Sequence, residues 1–321
     1  DSEITDNGIS AFAEYARRFG KVQAQAGVRY EHVTSDYYEY GKKVEEQSRK
    51  YDNFFPSLAL SFPLGKVQMQ LAYRASIKRP SYWDLRGNIT YANRYTYETG
   101  NPLLQPTTIQ SLSLNTIYRW MSLSLSYNHY KNDYTSYVRA YSEENPTIGL
   151  LTREHIAPYN RLSASLTLSP VIGKWSPRWG VQVQRYDCKV DTPQGVETFD
   201  NPRAILSWRN TVKFTDSFWI NADAYYQTKS QIDNTEYLEN SWYMNLNLYK
   251  GFLNNRMSLQ LQVTDLFNTR KSHVLMYSGL RTMELDNEMH RTVSLTFRYK
   301  FNPTKSKYKG TGAGQSQKAR M

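Results

Sequence analysis

The sequence predicts an all-β chain that folds as an antiparallel, membrane-spanning barrel wall. Three observations predict it. Apolar and polar residues alternate with a period of two along most of the chain. The connections between alternating runs are short and long in turn. No run approaches the roughly 20 apolar residues that a transmembrane helix needs. A mean hydropathy of −0.69 is no obstacle, because every second residue of a barrel strand can be polar.

About thirteen runs read as strands, near 8–19, 21–34, 52–62, 66–79, 107–119, 121–138, 148–169, 178–190, 203–215, 217–229, 241–251, 256–269 and 290–301. In the run 66–78, Val67, Met69, Leu71, Tyr73, Ala75 and Ile77 share one face, opposite Gln68, Gln70, Arg74, Ser76 and Lys78. Leu123, Leu125 and Tyr127 alternate with Ser122, Ser124 and Ser126 in the same way. The last run is the cleanest. Val293, Leu295, Phe297, Tyr299 and Phe301 oppose Thr292, Ser294, Thr296, Arg298 and Lys300.

Short connections fall at 19–21, 63–66, 119–121 and 215–217, with somewhat longer turns at 170–178 and 251–256. Longer, polar or Tyr-rich loops lie between them, at about 35–51, 80–106, 139–147, 187–202, 229–240 and 270–289. Short periplasmic turns and long extracellular loops are the pattern of an outer-membrane barrel. The polar face is mostly Ser, Thr, Asn and Gln, as a hydrated lumen allows. A soluble antiparallel β-protein would also alternate, but would not need to sort its loops by length.

The chain has 27 Tyr, 7 Trp and 12 Phe. Tyr and Trp join an apolar ring to a polar handle, which suits membrane interfaces and binding surfaces alike. Of the net charge of +11, a large share sits in the tail 302–321, with Lys305, Lys307, Lys309, Lys318 and Arg320 and no acidic residue. With no nucleic-acid-binding motif, the rest of the charge reads as a solvated surface and no nucleic-acid partner is expected. The single cysteine, Cys188, excludes an intrachain disulfide. Asp1 opens the sequence without a basic n-region and apolar h-region, so the reading expects the start of the natural chain to lie upstream.

Six segments carry a family resemblance. They are AGVRYE at 26–31, FFPSLALS at 54–61, KRPSYWDL at 78–85, YETGNPLLQP at 97–106, VTDLFNTR at 263–270 and YKGTGAG at 308–314. In this order they resemble the C-terminal barrel portion of TonB-dependent receptors of the outer membrane β-barrel family. Each segment also has a structural reading. Gly27 leaves space on a crowded wall. Pro80 and Pro102 end ladder pairing, because proline has no N–H to donate. Gly100-Asn101-Pro102 is turn chemistry.

The resemblance implies a Gram-negative outer-membrane transporter for nutrient uptake, driven by TonB. Its barrel has about 22 strands, of which this chain offers about thirteen. The plug and Ton box of such receptors are not visible, so the reading expects a fragment: a barrel segment over 1–301 and a basic, Gly-containing tail over 302–321. TonB would be met through the missing N-terminal region. The other implied partners are outer-membrane lipid, the barrel-assembly machinery and a surface lipoprotein.

No enzyme motif is present. The five histidines show no metal spacing, no GxSxG elbow occurs, and no Gly-rich loop joins a strand to a helix. The reading therefore expects no catalysis, no cofactor and no resident metal. Ligand-binding candidates lie in the loop 80–106: Tyr82, Trp83, Arg86, Tyr91, Arg94, Tyr95 and Tyr97. Aromatics with Arg could stack on sugars or grip an anionic ferric chelate. The same residues could instead be loop packing or an interfacial girdle. Two other functions fit the pattern: a smaller self-closing porin or fatty-acid-type channel, and a soluble cell-surface protein that binds glycan. A signal peptide directly before Asp1 would favour the first, and extraction by salt without detergent the second.

Overall fold

The computed structural model describes residues 2–301. The basic tail expected over 302–321, with its YKGTGAG segment, lies outside the described residues. The wall is one antiparallel sheet in which each strand pairs with the next wall strand along the chain. Its thirteen strands are Ser2–Phe19, Val22–Glu39, Arg49–Leu64, Val67–Lys78, Thr107–Tyr118, Met121–Lys131, Tyr159–Leu168, Trp175–Tyr186, Arg203–Thr215, Phe218–Gln227, Ser241–Phe252, Met257–Thr264 and Thr292–Tyr299. A two-residue strand, Lys42–Lys43, pairs off this path. Among the described residues the two outermost strands do not pair with each other, and the sheet is open.

The expected two faces hold through the register. Leu60 pairs with Leu71, Leu71 with Leu114, Leu114 with Leu125 and Leu125 with Ala164, so one apolar row crosses five strands. One residue further along, Ala72 pairs with Ser113, Ser113 with Ser126 and Ser126 with Ser163. Antiparallel partners share a face, so the small polar residues form the lumen side. In hydrocarbon an unpaired backbone group costs several kcal/mol, and the continuous ladder satisfies these groups between strands.

Glycine admits close neighbours on the lumen side. A Cβ at Gly27 would lie 2.9 Å from Ser57 Oγ, and one at Gly180 would lie 2.5 Å from Ser207 Oγ. The short turns use left-handed residues: Gly20 at φ 62°, Gly65 at 63° and Arg119 at 50°. At their lipid side sit aromatic pairs, Phe214 with Phe218 at 5.0 Å and Trp175 with Trp179 at 5.9 Å, as at a membrane interface. The last strand ends at Tyr299, and the Phe301 ring lies 4.7 Å from the Tyr299 ring.

Several expected strands are shorter in the wall than the alternation suggests. The run 121–138 breaks at Asn132, whose φ of 57° lies outside the strand region. The chain then leaves the wall, and Tyr134–Ala140 pairs with Gly149–His155. Pro158, which has no N–H for the ladder, precedes the return to the wall at Tyr159. The long loops thus carry their own small sheets, so buried hydrophobic contacts concentrate above the wall. The main cluster joins Tyr130 and Tyr159, stacked at 4.8 Å, to Cys188, Val190 and Phe199.

Candidate functional site on the outer loops

The loop 79–106 begins with a single helical turn, Tyr82–Leu85. Ser81 caps it, its hydroxyl accepting from the Asp84 amide at 3.2 Å. The Asp84 carboxylate accepts from Arg153 Nε at 2.9 Å, from Ser81 Oγ at 2.6 Å and from Tyr134 Oη at 3.3 Å. Burial raises the Asp84 pKa, but the Ser81 and Arg153 donors outweigh it and hold the carboxyl below its ordinary range. Asn101 donates to the Arg153 carbonyl at 2.9 Å, and Thr152 donates to the Gly100 carbonyl at 3.0 Å. The RPSYWDL and GNP segments therefore fasten this loop to the strand Gly149–His155.

The seven candidate residues fall into two groups. Tyr82 and Trp83 are exposed on the helical turn, and Tyr82 Oη donates to Asp6 at 3.0 Å. Arg86 is buried, with its guanidinium 3.4 Å from the Trp83 ring centroid and 3.7 Å from Glu98. Its Nε and Nη1 have no hydrogen-bond partner among the described residues. The second group sits on the hairpin of Thr90–Asn93 and Thr96–Glu98. There Tyr97 stacks on Tyr141 at 4.5 Å, Tyr91 meets Tyr97 edge-on at 5.8 Å, and Arg94 lies 5.5 Å from the Tyr95 ring. The Arg86–Glu98 ion pair connects the groups. Arg86 and Tyr97 pack within the loop layer, while Tyr82, Trp83, Tyr91 and Tyr95 show open ring faces.

The sequence reading missed the lock across these loops. The hairpin of Lys271–Ser278 and Arg281–Glu288 extends over the loop layer. Ser278 Oγ donates to the Ser136 carbonyl at 2.9 Å. Arg281 donates to Thr96 Oγ1 at 2.9 Å and to the carbonyls of Tyr95 and Thr147 at 2.7 and 3.3 Å. Gly279, at φ 62°, lets the hairpin tip approach: a Cβ there would lie 2.5 Å from the Val138 carbonyl oxygen. The Ser-Gly-Leu-Arg turn was the only local signal, and nothing local shows what it touches.

Two concave spaces accompany this layer. A cavity of about 230 Å³ lies between the loops, lined by Tyr137, Glu154, Lys189, Asp191, Asp233 and Tyr277 among others. Below it, on the lumen side, a polar cleft of about 450 Å³ holds Arg178, Arg209, Asp223, Tyr225, Tyr243 and Asn245. Tyr225 stacks on Tyr243 at 5.1 Å, and Arg270 lies 4.5 Å from the Tyr243 ring. On the outer hairpin His273, Glu284 and Asp286 bring their ligand atoms within 4.8 Å of one another. His273 Nε2 lies 2.6 Å from Glu284 Oε1, so the group already forms an ion pair when the imidazole is protonated.

The DLFN segment proves to be a turn device. Asp265, fully buried at φ 52°, accepts from the amides of Thr269 and Arg270 at 2.9 and 3.0 Å. Asn268 in turn accepts from the Arg291 amide at 3.0 Å, which guides the chain into the last wall strand.

The outer membrane protein beta-barrel family model matches residues 2–299. No curated protein matches the chain. Among solved structures, the ferric enterobactin receptor PfeA from Pseudomonas aeruginosa aligns with a TM-score of 0.57 and 16% identity over 91% of this chain and 44% of that one. The FrpB iron transporter from Neisseria meningitidis gives 0.59 and 13%, over 93% and 46%. The copper transporter OprC gives 0.65 and 10%, over 90% and 47%. The chain spans less than half the length of each of these three structures.

Proposed function

The chain belongs to the outer membrane protein beta-barrel family, and on that premise we propose that it forms the C-terminal part of the wall of a TonB-dependent receptor that takes up a scarce nutrient. The wall lines the pathway, the interlocked outer loops take the ligand, and no reaction is catalysed. The observation that carries this reading is the outer loop layer, where three loops bond to one another above a polar lumen face. A passive pore needs no such layer. Thirteen strands in an open sheet also fit part of a larger wall better than a small self-closing channel.

The solved structures that share this fold include an enterobactin receptor, an iron transporter and a copper transporter. They support a metal or metal-chelate cargo, for which the exposed Tyr82, Trp83, Tyr91, Arg94 and Tyr95 offer ring faces and cationic charge. TonB would act through a region N-terminal to these residues. The barrel-assembly machinery would insert the wall, and a surface lipoprotein would work at the outer loops.

The test is uptake in cells that express the full-length protein, supplied with a panel of labelled ferric chelates and copper, with and without a protonophore. Uptake above the deletion strain that collapses with the protonophore is the expected result. Uptake that ignores the protonophore and follows only solute size would assign a porin instead.

A further inference from the structure

The charge of the wall is sorted by depth. Within four residues of the short turns, every charged side chain is basic except Asp216, which pairs with Lys213 at 3.1 Å. Lys21, Lys66 and Lys174 sit in these turns, exposed, and none has a carboxylate within ion-pair distance among the described residues. Most acidic residues lie instead in the long loops and toward the loop ends of the strands, and Glu14 and Asp223, which lie within strands, are on the lumen face. Asymmetry of this kind in a solvated surface would be neutral in effect, but here the rim borders a bilayer.

Three of the cations lie against aromatic rings at that rim. Arg17 Cζ is 5.2 Å from the Phe19 ring centroid, and Arg119 Cζ is 5.5 Å from that of Tyr118. Lys250 Nζ is 5.3 Å from the Phe218 ring and 6.0 Å from the Phe252 ring. By the register, Arg17 and Lys250 are on the lipid side of the wall. Arg17 shares a face with Phe19 and Ala24, and Lys250 with Leu248 and Leu259. Aromatic rings of barrels settle at headgroup depth, and the stacked cations are held at the same depth.

We propose that this rim binds the phosphodiester headgroups of anionic glycerophospholipids in the periplasmic leaflet. The cations supply charge that the protein itself leaves uncompensated, and the rings fix their depth against the acyl chains. The proposal rests on the membrane-spanning fold and is independent of what the receptor transports.

The test folds the full-length protein into vesicles of phosphatidylcholine alone or with phosphatidylglycerol. It reads the midpoint of the heat-induced gel-mobility shift. Phosphatidylglycerol is expected to raise the midpoint by about 5 °C. An Arg17→Gln, Arg119→Gln, Lys250→Gln variant should lose more than half of that rise, and a Lys189→Gln, Lys229→Gln outer-loop variant should keep it. Brominated lipids give a readout that needs no variant. Brominated phosphatidylglycerol should quench the tryptophan fluorescence of the unaltered protein, which has Trp120 and Trp175 at this rim, more than brominated phosphatidylcholine does at equal content. Equal quenching by both lipids, an unchanged rise in the triple variant, or the same rise from inorganic phosphate over phosphatidylcholine would each overturn the assignment. Binding to purified peptidoglycan without any preference between the two lipids would also overturn it, in favour of an anionic polymer.

Discussion

Arg281 donates from its guanidinium to the main-chain oxygen of Tyr95 at 2.7 Å, across 186 residues of chain. The same guanidinium reaches Thr96 and Thr147, so one side chain ties three outer loops together. Hydrogen bonds from a charged donor are worth about 1.5–3 kcal/mol when shielded from water. Arg281 is partly exposed, so Arg281→Ala is expected to loosen the layer by about 1–2 kcal/mol. Limited proteolysis of the folded protein reads this as cleavage in 141–149 that is roughly 5- to 30-fold faster. Unchanged cleavage would mean that the loops hold without this contact.

The two faces of the last wall strand make opposite demands. Leu295 and Phe297 are on the lipid side, paired with Leu261 and Leu259, while Ser294 and Thr296 are on the lumen side. Leu295→Arg or Phe297→Arg should cost about 2–4 kcal/mol near the bilayer midplane. Ser294→Arg and Thr296→Arg should be milder, because water can reach them. Refolding yield into vesicles is the measurement, and equal damage on both faces would reverse the assignment.

Topology can be read with an impermeant maleimide on intact cells. Glu144→Cys in an outer loop is expected to react, and Lys174→Cys in a short turn is expected to stay silent. The native Cys188 should stay silent in both backgrounds. Only 1% of it is exposed, and burial in the loop cluster pushes its thiol pKa upward, which disfavours the reactive thiolate. Labelling at Lys174→Cys with silence at Glu144→Cys would invert the barrel.

His273 makes the outer hairpin sensitive to pH. Its hydrogen bond to Glu284 raises its pKa above the ordinary 6.5; Asp286 and Glu239 add to the rise, while partial desolvation opposes it. A raised folded-state pKa favours the protonated form in the folded protein. The contribution is therefore complete below pH 6.5 and is lost as pH rises through the elevated value. Amide exchange in 271–288, corrected for its intrinsic pH dependence, should be slower at pH 5.5 than at pH 8.5. His273→Gln should remove the difference.

Asp265 offers a test of the turn before the last strand. Asp265→Ala leaves the amides of Thr269 and Arg270 without their acceptor in a buried place. A stranded buried donor costs about 1–3 kcal/mol. The urea midpoint of the folded protein is expected to fall accordingly, while Asp265→Asn, which keeps one acceptor oxygen, should fall less.

The sequence by itself determined the wall. Alternation marks the two faces of each strand because side chains leave a strand on opposite sides in turn. Gly20, Gly65 and the short polar connections mark one rim because only tight turns fit there. Thirteen strands, their order and the sorting of loops were legible for this reason: each is a property of a few neighbouring residues. Only the tertiary structure decided what the loops do. The richness of 80–106 in aromatics and arginine suggested one exposed binding surface, yet Arg86 lies buried under Trp83 beside Glu98, and Tyr97 is stacked on Tyr141. The lock of Arg281 on Tyr95 was equally hidden. Such contacts depend on the summed register of many strands, which carries residues far apart in the chain to one place above the lumen, and no local pattern encodes that sum.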